Sequence, residues 1–127
     1  MLQETRMIMF ATEDLIEALN SYRRANPEFL PAGDLQIKSL AKDGSVKVII
    51  EMNYGDNQQE AVFELTPESI RASMIRACCE TNIKIPIKGS KSVVGTNKGL
   101  ALRITLPTGE FDEHGEIERV ASSIAPR

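Results

Sequence analysis

Lysine, serine and glycine crowd together at Lys88-Gly-Ser-Lys-Ser92. These residue types hold a phosphate, the ammonium groups by charge and the hydroxyls and backbone N–H groups by hydrogen bonds. The spacing differs from that of a nucleotide-binding P-loop. That loop needs a glycine five positions before Gly-Lys-Ser/Thr and a helix after it, whereas here Ser90 separates Gly89 from Lys91 and strand-like residues follow. The wider setting is a division of charge along the chain. Residues 71–103 carry seven cations against one anion, a net of +6, while residues 1–70 carry six against twelve and residues 104–127 two against five, which sums to the overall −3. A basic surface is therefore an expectation, with Lys84, Lys88, Ser90, Lys91, Ser92 and Lys98 as candidate anion ligands. The alternative is that the cations point in different directions and solubilise a strand-rich region. Nucleic acid is not favoured, because the sequence pI is about 5.2 and residues 71–103 hold no aromatic side chain on which a base could stack.

Other chemistry is sparse. His114, the single histidine, lies among Asp112, Glu113 and Glu116. Neighbours in an acidic loop do not converge on a metal as ligands at helical or hairpin spacing do, so neither a metal nor a cofactor is expected. The two cysteines are the adjacent Cys78 and Cys79, a spacing unlike that of a zinc site or a disulfide framework. Cys79 or His114 would have to serve a small enzyme of unknown reaction. No catalytic constellation is assigned.

The elements that would position these residues can be read from apolar spacing. Leu15, Ile16, Leu19 and Tyr22 predict a helix over 13–25 with Thr12 as its cap, ended by Asn26-Pro27. Alternation over 35–40, the Asp43-Gly44 turn, and Val46, Val48, Ile50 and Met52 predict a hairpin, and a strand at 61–65 adds a third antiparallel member. Thr66-Pro67-Glu68 supplies a hydroxyl cap, a proline suited to the first helical turn and a carboxylate at the positive helix end, so a second helix should run to about Thr81. Cys78 falls on its buried side. Ile83, Ile85 and Ile87 alternate around Pro86, which fits an edge strand or an extended connector. Ser92–Val94 and Leu100–Leu106 should close a hairpin around Gly95–Gly99. Ile117, Val120, Ala121 and Ile124 have the spacing of a last amphipathic helix.

The fold class expected is α+β, a single antiparallel sheet of about five strands with helices on one face, in the order α-βββ-α-ββ-α. One domain over 1–127 is expected, with 1–10 and 107–127 at its periphery. The chain is large enough for a core without disulfides or metal. No apolar run approaches the ~20 residues that span a bilayer, no signal peptide is evident and the cysteines suit a reducing compartment, so a cytoplasmic protein without membrane partners is expected.

The segment from the second helix through Asn82-Ile-Lys-Ile-Pro-Ile-Lys-Gly-Ser-Lys-Ser92 to Leu100-Ala-Leu-Arg-Ile104 resembles a type of small bacterial α+β protein with a helix, Ile-Pro, Lys-Ser and a hairpin. That resemblance implies a fold and no activity. The element order alone is similar to that of class I chaperones of type III secretion, which implies a partner-binding role. The expected function is accordingly a non-enzymatic binding or adaptor module that recognises a protein partner, with a homodimer as a further expectation. Phosphate or nucleic acid binding through 71–103, a chaperone-like role and a small enzyme are the alternatives.

Overall fold

In the computed structural model, which describes residues 2–108 and 117–118, the chain opens with a strand that its sequence hides. Along β1 (Gln3–Ala11), Arg6, Ile8 and Phe10 turn toward the interior while Thr5, Met7 and Met9 stay exposed. Both sets contain apolar residues, so no period of two stands out in the sequence. α1 (Thr12–Ala25) follows without a loop. Its cap is Ala11, one residue before the predicted Thr12. Alanine has no side-chain acceptor, and the Asp14 carboxylate instead accepts the Ala11 N–H at 3.0 Å. Leu15, Ala18 and Leu19 form the buried stripe.

β2 (Asp34–Leu40), β3 (Val46–Tyr54) and β4 (Asn57–Leu65) make the expected antiparallel meander. At the first turn the Asp43 carboxylate accepts the Ser45 N–H at 2.9 Å and its hydroxyl at 2.7 Å. Those bonds, the backbone one first, hold the Asp43 pKa below its ordinary value. Val46, Val48 and Ile50 are buried on one side of β3, and Lys47 lies opposite Glu64 on the other. α2 (Pro67–Glu80) is capped as predicted, with the Ser69 N–H donating to Thr66 Oγ1 at 3.2 Å. The buried Ser73 hydroxyl satisfies itself on the Ser69 carbonyl one turn back, at 2.9 Å.

β5 is reduced to Ile85–Pro86, with Ile85 fully buried and Ile83 and Ile87 exposed, so the predicted alternation yields only one inward residue. β6 (Ser90–Gly95) and β7 (Gly99–Pro107) form the expected hairpin. β8 (Ile117–Glu118) pairs with β5. Ile117 and Glu118 are therefore extended and do not begin the predicted helix. A short amphipathic pattern cannot nucleate a helix strongly by itself, and pairing with Ile85–Pro86 decides the local conformation. The rest of that predicted helix lies outside the described residues.

The expected single sheet is two three-stranded antiparallel sheets, ordered β1-β7-β6 and β2-β3-β4. They meet at one corner, where the Gly95 N–H donates to the Lys42 carbonyl at 3.3 Å. A register shift between Ile37 and Ser39 interrupts β2, and such a bulge bends and twists its strand. The two helices pack on each other, α1 against β1, β2 and β7, and α2 against β5, β6 and β7. A shared core results, with Leu15 and Leu19 from α1, Ile70 and Met74 from α2, Ile50 from β3 and Leu102 from β7 all at 0% exposure. No helix among the described residues is long and apolar enough to cross a membrane.

Candidate functional site

The basic segment is spread out by the fold. Ser90 and Ser92 share one face of β6, opposite the buried Val93, whereas Lys91 lies on the Val93 side. The Lys91 ammonium donates to the Ile87 carbonyl at 2.9 Å, and its own carbonyl accepts from Arg71 Nη1 at 3.3 Å. The amine thus closes the turn that carries it. Lys98 sits in the β6–β7 loop, its backbone N–H 3.3 Å from Thr96 Oγ1. It is separated from Lys88 and Ser90 by the length of β6, which at ~3.3 Å per residue is roughly 20 Å. Lys84 is exposed ahead of β5, and its carbonyl accepts from Arg6 Nη1 at 3.3 Å. Arg103 emerges from the solvent side of β7, while Arg76 lies 3.6 Å from Glu80 on α2. Of the candidate ligands, only those around the 87–92 turn are neighbours. His114, Asp112, Glu113 and Glu116 lie outside the described residues.

Where side chains do converge is a cleft of about 600 Å³ between β1, α1 and the C-terminal end of α2. Its apolar lining comes from Ile8 and Phe10 of β1, Ala18 of α1, Ala77 and Cys78 of α2, and Ile83 beyond it. Asp14, Glu17, Ser21 and Arg24 line it from α1 at spacing i, i+3, i+7 and i+10, which is one face of a helix. Glu80 reaches across from α2. The Ser21 hydroxyl lies 2.7 and 2.9 Å from the two Glu80 carboxylate oxygens, so this wall is fixed by a bond between the helices. Three carboxylates against one guanidinium on α1 give the lining a negative bias, and the volume is in the range of pockets that take a small molecule or a few side chains.

Helical spacing sets Glu13, Asp14, Glu17, Arg23 and Arg24 outside the Leu15, Ile16, Leu19 and Tyr22 stripe, where the sequence alone predicts contact with water; the fold turns Asp14, Glu17 and Arg24 into the cleft. The signal available was the spacing of Asp14, Glu17, Ser21 and Arg24 beside the buried stripe, which predicts a shared face without saying what it faces. Among the described residues, no three His, Cys, Asp or Glu side chains are grouped as metal ligands.

Cys78 forms part of the cleft wall and is buried, and no disulfide joins it to Cys79. Burial, with a smaller contribution from the neighbouring Cys79, pushes the Cys78 thiol up from 9.0 to about 11. A thiol held protonated is a poor nucleophile. At mildly alkaline pH a thiol reagent should label Cys79 in the native protein, and Cys78 only as the protein unfolds. Equal native rates for the two, compared between Cys78→Ala and Cys79→Ala, would contradict this. Because folding raises the Cys78 pKa, its contribution to stability is complete below about 9 and disappears as pH climbs through about 11.

β1 is an edge strand. The Thr108 N–H donates to the Leu2 carbonyl at 3.1 Å, and the register continues with Glu4 opposite Leu106 and Arg6 opposite Ile104. Hydrogen-bonded pairs alternate along an antiparallel ladder, so residues 2, 4, 6, 8 and 10 bond to β7 and the backbone groups of Thr5, Met7 and Met9 point off the sheet. Comparison with known protein families, with curated proteins and with solved structures returns no match for this chain, so its functional reading rests on this geometry.

Proposed function

We propose that this chain is a non-catalytic binding module that holds a segment of a protein partner in the cleft between α1 and the end of α2. The observation that carries the reading is the pairing of an apolar lining, Ala18, Ala77 and Ile83, with the carboxylates of Asp14, Glu17 and Glu80. An aliphatic side chain buried there leaves water, and a neighbouring lysine or arginine meets the carboxylates. The first supplies affinity and the second orientation. Ser21 and Glu80 are already bonded to each other, so that wall needs little ordering when a segment enters. A chaperone-like role, in which a client's segment is held in this way, is one form of the same function.

Panning a random-peptide display library on the protein tests the proposal. Enriched peptides should combine an aliphatic residue with lysine or arginine, and should lose at least tenfold in affinity for Ala77→Tyr, which fills the cleft, and for Glu17→Lys, which reverses its charge. Peptides that bind both variants as tightly as the parent protein would overturn it.

A further inference from the structure

Three of the exposed large apolar residues, Leu2, Met7 and Met9, lie on or just before β1, with Met7 43% and Met9 57% exposed. They accompany the strand whose outward N–H and C=O groups have no backbone partner among the described residues. A strand of this kind is a template for another chain. β4, another edge strand, is less suited, because exposed Glu60 and Glu64 on its surface would meet any added strand with charge.

We infer that the occupant of the β1 edge is a second copy of this chain, paired antiparallel about Met7. The sequence of β1 is complementary to itself in that register. Met7 falls opposite Met7 of the partner, Thr5 opposite Met9, and Met9 opposite Thr5. Every residue whose backbone points off one strand then faces a residue whose backbone points off the other, so both exchange their bonds. On the inner face Arg6 falls opposite Ile8 and Glu4 opposite Phe10, so no like charges are directly opposed. On the outer face, Met7 covers Met7 of the second copy, and Met9 lies over its Thr5 and diagonal to its Met7, so these adaptable side chains leave water together along the seam. The result is a six-stranded sheet, β6-β7-β1-β1-β7-β6. An antiparallel strand pair related by a two-fold axis normal to the sheet keeps the same face of both copies on one side. The two clefts therefore open on the same side of the dimer, one on each flank of the seam. This assembly rests on the β1 edge and not on what the cleft binds.

Sedimentation equilibrium of the full chain at high micromolar concentration tests the inference without any ligand. The expected mass is twice the 14.0 kDa of one chain. Met7→Pro should return it to the single-chain mass, because proline removes an outward N–H while the ladder to β7 is untouched. Met7→Asp should do the same by placing two carboxylates together at the dyad, and it covers the case in which the proline variant does not fold. A single-chain mass for the parent protein, or a dimer that survives in a folded Met7→Asp variant, would overturn the inference. Neither outcome bears on the peptide-binding reading of the cleft, which is measured separately.

Discussion

Leu102→Ala is expected to destabilise the fold by about 2–5 kcal/mol, a large fraction of the total for a domain of this size. Leu102 is in the middle strand of its sheet, paired with Ile8 on one side and Val93 on the other, and is 0% exposed. Its side chain belongs to the core cluster shared with both helices and β3, so truncation leaves a cavity that cannot collapse from one direction. Chemical denaturation should record the loss as a lower midpoint with an unchanged slope. Val62→Ala provides the contrast, because Val62 is 53% exposed on the solvent side of β4, and its change should stay within about 0.5 kcal/mol. Equal effects at the two positions would mean that the core is not where the fold puts it.

Gly44→Ala should have the second large effect, about 1–3 kcal/mol, from two causes acting together. Gly44 has φ +96°, a conformation that alanine adopts only with strain. An added Cβ would also lie 2.9 Å from Val93 Cβ and 3.1 Å from the Val93 carbonyl, closer than such atoms pack. The position is the corner where the β2–β3 turn approaches β6, next to the Gly95–Lys42 bond between the sheets. Gly55→Ala separates the causes, since Gly55 has φ +63° but open space around it. It should retain only the backbone part of the penalty. A Gly44→Ala variant no less stable than Gly55→Ala would remove the argument for a tight corner between the sheets.

Much of the fold was legible because local signals agreed with the tertiary outcome. Thr66-Pro67 marks the start of α2, Asp43-Gly44 marks a hairpin, and the alternation of Val46, Val48 and Ile50 marks the buried face of β3. β1 escaped notice because Met7 and Met9 put apolar residues on the solvent side as well, which erases the contrast on which strand recognition depends. The division into two sheets was illegible for a different reason. Strand periodicity reports which face is buried and says nothing about whether β6 continues alongside β2 or meets the turn that follows it.

The candidate site was the least legible part. Net charge over 71–103 is a property of the sequence, but Lys91 and Lys98 are separated by β6, and Lys91 faces away from Ser90 and Ser92. A linear excess of lysine therefore did not predict a shared surface. The cleft, in contrast, combines residues near position 10, residues 14–24 and residues 77–83, and only the packing of α1 on α2 brings these together.

The most direct measurement of the central claim is an NMR titration of the isotopically labelled full chain with a peptide recovered from the display library. Backbone amide shifts should concentrate at Ile8–Phe10, along the Asp14, Glu17 and Ser21 face of α1, and at Ala77–Ile83, while β3 and β4 stay unperturbed. Shifts confined instead to Lys84–Lys98, or spread over the β2-β3-β4 sheet, would contradict the cleft as the binding site.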